Sequence, residues 1–167
     1  IYKCQTTMIH FQVEDASFDL RRKIAIKNWI KEILSSKTLT PGEINFIFCS
    51  DDYLLDINKQ FLQHDYYTDI ITFDTSEYDP YNSRKGRVSA DIFISLDTVL
   101  ANASTYETTF NRELYRVIIH GILHCIGFDD HTPEEFQQMK QQEDVALSKL
   151  EQMFGSEIFT VQNYKVG

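Results

Sequence analysis

The stretch Ile118-Ile-His-Gly-Ile-Leu-His-Cys-Ile-Gly-Phe-Asp-Asp-His131 decides how the rest of the chain is read. His120 and His124 stand four residues apart inside an apolar run with helical periodicity. In a helix this spacing puts both imidazoles on one face, one turn apart, where they can converge on a metal ion. Gly127 supplies the helix stop, because a left-handed residue past the last turn costs glycine nothing. Asp129, Asp130 and His131 follow as candidate third ligands. Two imidazoles and one more side chain, with a fourth position open, describe a catalytic zinc site rather than a closed structural one.

The histidine helix is expected from Phe110 to Ile126, with Leu114, Val117, Ile118, Ile119, Ile122 and Leu123 nearly all round it. Such a helix belongs at the centre of a domain. Upstream, Ile9, Phe11 and Val13 alternate with polar residues as a half-buried strand does. Ser17 or Asp19 is placed to cap a helix carrying Leu20, Ile24, Ile30, Ile33 and Leu34 on one stripe. Thr40-Pro41-Gly42 reads as a turn, and Glu43 to Cys49 as a central strand buried on both sides. Ser50 caps the next helix, with Asp51 and Asp52 in its first turn. Strands follow at Asp69–Asp74 and Val88–Leu96, then a short helix from Asp97. Thr132 caps and Pro133 opens the last helix, along which Phe136, Met139, Glu143 and Leu147 lie. This mixture predicts an α+β fold, a mixed β-sheet packed around the buried metal-binding helix.

With 167 residues the chain is expected to form one domain, 1–167; Ile1 to Thr7 show no pattern, and Met8 is an alternative start. A hydrophobic content of 43% with 13% aromatics excludes a disordered chain. No apolar run has the length of a membrane span, and no signal peptide opens the sequence. Cys4, Cys49 and Cys125 are odd in number and lack CxxC spacing, as expected of free thiols in a reducing cytoplasm. The net charge of −9 argues against a broad nucleic-acid-binding face. It leaves Arg84, Lys85 and Arg87 in one loop as the local basic candidate for nucleic acid, and a bound dication adds positive charge where it matters.

The histidine segment resembles the HGxLHxxGxDH signature of the YbeY family of metal-dependent endoribonucleases. Further matches are Ile57-Asn58, then Tyr67-Thr-Asp-Ile-Ile-Thr-Phe73, then Asp91-Ile-Phe-Ile-Ser-Leu-Asp-Thr98, so the resemblance runs from about Ile57 to Glu143. It implies a zincin-like arrangement and a cytoplasmic hydrolase that cuts single-stranded RNA. It places that activity in ribosomal RNA maturation, at the 3′ end of the small-subunit RNA, and in ribosome quality control. One zinc ion is the implied cofactor, with no organic cofactor. Ribosomal RNA and small-subunit ribosomal proteins are the implied partners, and no membrane. Two other functions fit the same residues: an assembly factor whose metal is structural, and a metallohydrolase of a non-nucleic substrate.

The sequence departs from known patterns at three places. Where HExxH proteases carry their catalytic glutamate this chain has Gly121, so it keeps the metal cradle and drops the proteolytic base. Asp69 and Asp91 are nominated instead to orient a ligand or a water. The family's arginine position is Leu62, and leucine cannot clamp phosphate; His64, Lys59 and Arg84 are the candidates to compensate. The family's third histidine falls on Asp130, with the histidine one place later at His131. Register favours Asp130 and residue type favours His131; register outweighs preference, so Asp130 is the expected third ligand and His131 the alternative.

Overall fold

Glu43 to Cys49 carries almost only apolar side chains, so it can settle only where both faces are covered. The computed structural model, which describes residues 8–63, 68–78 and 86–160, places it at the middle of a four-stranded sheet. The strands are β1 (Met8–Val13), β2 (Thr40–Cys49), β3 (Ile70–Asp74) and β4 (Arg87–Ser95), in the order β1-β2-β4-β3. β1, β2 and β4 run parallel, and β3 closes the far edge antiparallel to β4. The sheet is therefore mixed. The helices are α1 (Lys23–Ser36), α2 (Asp51–Leu62), α3 (Leu96–Thr105), α4 (Phe110–Cys125), α5 (Pro133–Phe154) and the short α6 (Glu157–Thr160).

One face of the sheet is buried under α1 and α4. Ile26, Trp29, Ile30, Ile44, Phe46, Phe48, Ile92, Ile94, Ile118 and Ile122 form its core. α5 packs on α1 and α4, where the Trp29 indole nitrogen donates to the Ala146 carbonyl at 2.8 Å. The opposite face carries α2, with Leu54, Ile71 and Cys49 buried beneath it. α4 lies so close to the sheet that a Cβ on Gly121 would come within 3.0 Å of both Ile70 and Ile92. The glycine between the two histidines is thus a packing requirement as well as a missing base.

Two local expectations are corrected. α1 begins at Lys23, behind Arg22 in the left-handed region, with no side-chain cap, so neither Ser17 nor Asp19 performs that role. Its buried stripe is Ala25, Ile26, Trp29, Ile30, Ile33 and Leu34, Leu20 is buried ahead of the helix, and Ile24 points to solvent. Thr40-Pro41-Gly42 belongs to β2, at a register shift between Pro41 and Ile44 where a bulge takes up the turn-like residues. Among the described residues no helix is long and apolar enough to cross a membrane.

Candidate metal centre

α4 starts at Thr109, whose hydroxyl accepts from the Arg112 amide, and ends in a glycine-terminated turn. The Phe128 amide donates to the Leu123 carbonyl at 3.0 Å and the Gly127 amide to the His124 carbonyl at 3.2 Å, with Gly127 at φ 107°. These two bonds are the Schellman pattern, and they turn the chain back beside the last helical turn. Four residues later a capping box opens α5. The Thr132 hydroxyl accepts from the Glu135 amide, and the Glu135 carboxylate accepts from the amides of Thr132 and His131. The segment carrying the third ligand candidates is therefore anchored at both ends.

The anchoring brings Asp130 to the histidine pair. The Nε2 atoms of His120 and His124 lie 3.0 Å apart, and the Asp130 carboxylate oxygens stand 3.5 Å and 3.7 Å from them. One ligand atom from each of the three residues falls within 4.8 Å of the others, the spread of a set that can hold a metal ion. His131 is exposed and outside this set, its amide spent on the α5 capping box. Asp129 lies 3.8 Å from the other nitrogen of His124.

Behind the set is a row of charged groups. His120 Nδ1 is 2.9 Å from the buried Glu143 carboxylate. A carboxylate only accepts, so Nδ1 carries the proton and the neutral ring's lone pair is on Nε2, the atom facing His124 and Asp130. Burial, and after it the neighbouring His120, lower the His124 pKa from its ordinary value, which favours the neutral form that ligates. The donor set therefore fits a divalent cation such as zinc: two imidazole nitrogens and one carboxylate. Glu143 is held in turn by Arg116 Nη1 at 3.2 Å, and Arg116 grips Glu113 through Nε at 3.1 and 3.0 Å and through Nη2 at 2.6 Å. Burial would lower the Arg116 pKa, but the hydrogen bond and charge of Glu113, with Glu143 behind them, raise it. Asp69 completes the row, 3.6 Å from Arg116 Nη2.

The candidate residues thus divide. His120, Asp69 and Asp130 line one cavity of about 520 Å³ between α4, α5 and the end of α3, and His124 stands against His120 and Asp130. Asp91 is on the wrong side of the sheet for this work. Its neighbour Ile92 faces Gly121, so strand alternation turns Asp91 to the α2 face, where Asn45 Nδ2 donates to it at 2.9 Å. The nomination of Asp91 for orienting a ligand is corrected accordingly. Arg87 opens β4 and does not line the cavity; Arg84, Lys85 and His64 lie outside the described residues. Leu62, at the end of α2, is exposed. Cys49 is a free buried thiol and Cys125 a free half-buried one; Cys4 is outside the described residues. Sequence reasoning missed Glu143, Arg116 and Glu113 as parts of the site. One signal was available: Glu143 interrupts the apolar stripe of Met139, Leu147 and Leu150, and an acid at a core position needs a buried partner.

A family model described as Endoribonuclease YbeY matches residues 8–151. The chain belongs to the YbeY family. Similar curated proteins include the YbeY endoribonucleases of Phocaeicola vulgatus, 49% identical over 84% of this chain and 97% of the relative, and of Cytophaga hutchinsonii, 46% identical over 84% and 94%. The solution structure of TM1509 from Thermotoga maritima is similar in fold, with a TM-score of 0.55 and 27% identity, covering 89% of this chain and 95% of that one. For a YbeY family member, the matched segment spans all four strands and the whole α4–α5 ligand segment.

Proposed function

We propose that this YbeY family protein is a metal-dependent endoribonuclease that cuts single-stranded RNA during ribosomal RNA maturation in the cytoplasm, with zinc as its ion. The observation that carries the reading is the convergence of His120, His124 and Asp130 beside an open cavity. His120 and His124 would hold the ion through Nε2, and Asp130 through its carboxylate. When bound, the ion supplies Lewis acidity toward a phosphoryl oxygen. Glu143 keeps the His120 ring in the ligating tautomer, and Arg116 fixes Glu143. Asp69, at the cavity wall and paired with Arg116, is placed to orient a water or a ribose hydroxyl. The cavity beside the ligands favours a catalytic site over the structural metal of an assembly factor, which would close its fourth position. The relatives named as endoribonucleases favour RNA over a non-nucleic substrate.

Metal analysis of the purified protein, paired with cleavage of single-stranded RNA, tests this. Wild type is expected to carry one equivalent of zinc and to cut; His124→Ala is expected to lose both. Wild-type cleavage by a metal-free His120→Ala/His124→Ala double variant would end the reading.

A further inference from the structure

The cavity does not stop at the ligands. It runs from His120 along α4 to Arg112, eight residues away, a length of about 12 Å at the helical rise. Two features of its lining serve neither the metal nor the core. Tyr106 and Phe136 line the cavity yet are 66% and 54% exposed, among the most exposed large apolar side chains described. Arg112 and Lys140 line it too, and among the described residues neither is paired with a carboxylate. Arg112 is instead steadied over the Phe159 ring at 4.9 Å, which holds its guanidinium at the cavity end. Exposed rings and unpaired cations beside a candidate phosphodiester-cutting centre are the two elements of single-strand recognition: faces for bases and charges for phosphates.

The geometry points to base-stacking faces for the nucleotides flanking the cut bond, supplied separately by Tyr106 and Phe136, with Arg112 and Lys140 on the neighbouring phosphates. The inference rests on the endoribonuclease reading and deepens it by naming what holds the strand. The size agrees, since 520 Å³ falls among single-ligand cavities of roughly 300–1,000 Å³. The carboxylates of the wall outnumber its cations, and Arg116 is engaged by Glu113 and Glu143, so Arg112 and Lys140 are the lining cations left for an incoming phosphate.

Steady-state cleavage of single-stranded oligoribonucleotides by the metal-loaded protein tests it. Tyr106→Ala and Phe136→Ala are each expected to raise KM by about tenfold, while Tyr106→Phe and Phe136→Tyr stay near wild type. Both positions are exposed, so melting temperatures are expected to remain at the wild-type value. A substrate with an abasic nucleotide on one side of the cut should weaken wild type by a similar factor and erase the difference between wild type and one of the alanine variants. Arg112→Ala and Lys140→Ala should each lower the slope of log affinity against log salt by about 0.7. Wild-type KM in both alanine variants, or ring and base deletions that simply add, overturns the subsite while leaving the endoribonuclease reading in place. Failure of wild type itself to bind or cut RNA removes that reading, and the subsite with it.

Discussion

Among the described residues two acid-rich clusters stand out, and of these two the α4–α5 cluster has the form of a metal site. Where β1, β2 and β4 end, Asp15, Asp51 and Asp97 meet Ser50, Ser95 and Thr98 at the starts of α2 and α3. Asp15 accepts from the Ser50 amide at 3.0 Å and hydroxyl at 2.6 Å. Asp51 accepts from the hydroxyls of Ser95 and Thr98, and Asp97 accepts from the Asp51 amide at 2.9 Å. Each carboxylate there is used to cap a helix or bind a hydroxyl. In the α4–α5 cluster the donors run the other way: Arg116 and the His120 Nδ1 proton satisfy Glu113 and Glu143 from behind, leaving acceptor atoms of His120, His124 and Asp130 aimed at one another. Acidity is common to both. What differs is whether lone pairs are left converging.

That contrast breaks most sharply at the third ligand. Asp130→Ala is expected to empty the metal site, and His131→Ala to leave metal content unchanged, as read by elemental analysis. The reverse result would move the ligand one residue along the turn. Next in size, Glu143→Ala strips a buried partner from Arg116 and His120, and because Arg116 keeps Glu113 the cost in denaturant unfolding should be about 1–3 kcal/mol. Glu143→Gln keeps an acceptor and should fold, with metal affinity down roughly 10–100-fold in competition with a chelating dye. Asp51→Ala probes the closed cluster: a loss of about 1–3 kcal/mol, with metal content untouched. Loss of metal there would show that the clusters are coupled. Gly121→Ala pushes a methyl into Ile70 and Ile92, and the crowding should outweigh the gain in helix propensity by about 1 kcal/mol. The smallest effect concerns the thiols. Burial, and then Asp15, Asp51 and Asp97, push Cys49 up to about 12, and burial does the same for Cys125. Both therefore remain protonated at pH 8, and mass spectrometry should find neither alkylated by iodoacetamide in the folded protein.

What was legible in the sequence was local. Ser50, Thr132 and Gly127 act as their residue types announce, because a cap or a helix stop is decided within four or five residues. The histidine pair was readable for the same reason, its geometry being that of one helical turn. The mixed sheet around a buried α4 followed from apolar periodicity. Asp91 was misplaced because alternation shows that neighbours face opposite ways, not which way α4 lies. Glu143 escaped because its partners, Arg116 and His120, are 27 and 23 residues away on another helix. The start of α1 was missed because Leu20 is drawn into the core ahead of the helix, overriding two good capping residues.

The doubly anchored turn between α4 and α5 has an entropic consequence. Fixing one residue's backbone costs roughly 1–2 kcal/mol. The amides of Gly127 and Phe128 on one side, and of His131 and Thr132 on the other, are bonded to groups other than the three candidate ligand atoms. The freedom of Asp130 is therefore surrendered when the chain folds rather than when a cation arrives, and capture has only a side-chain rotamer left to order. The same restraint slows departure, since an ion cannot leave by letting its loop fray first.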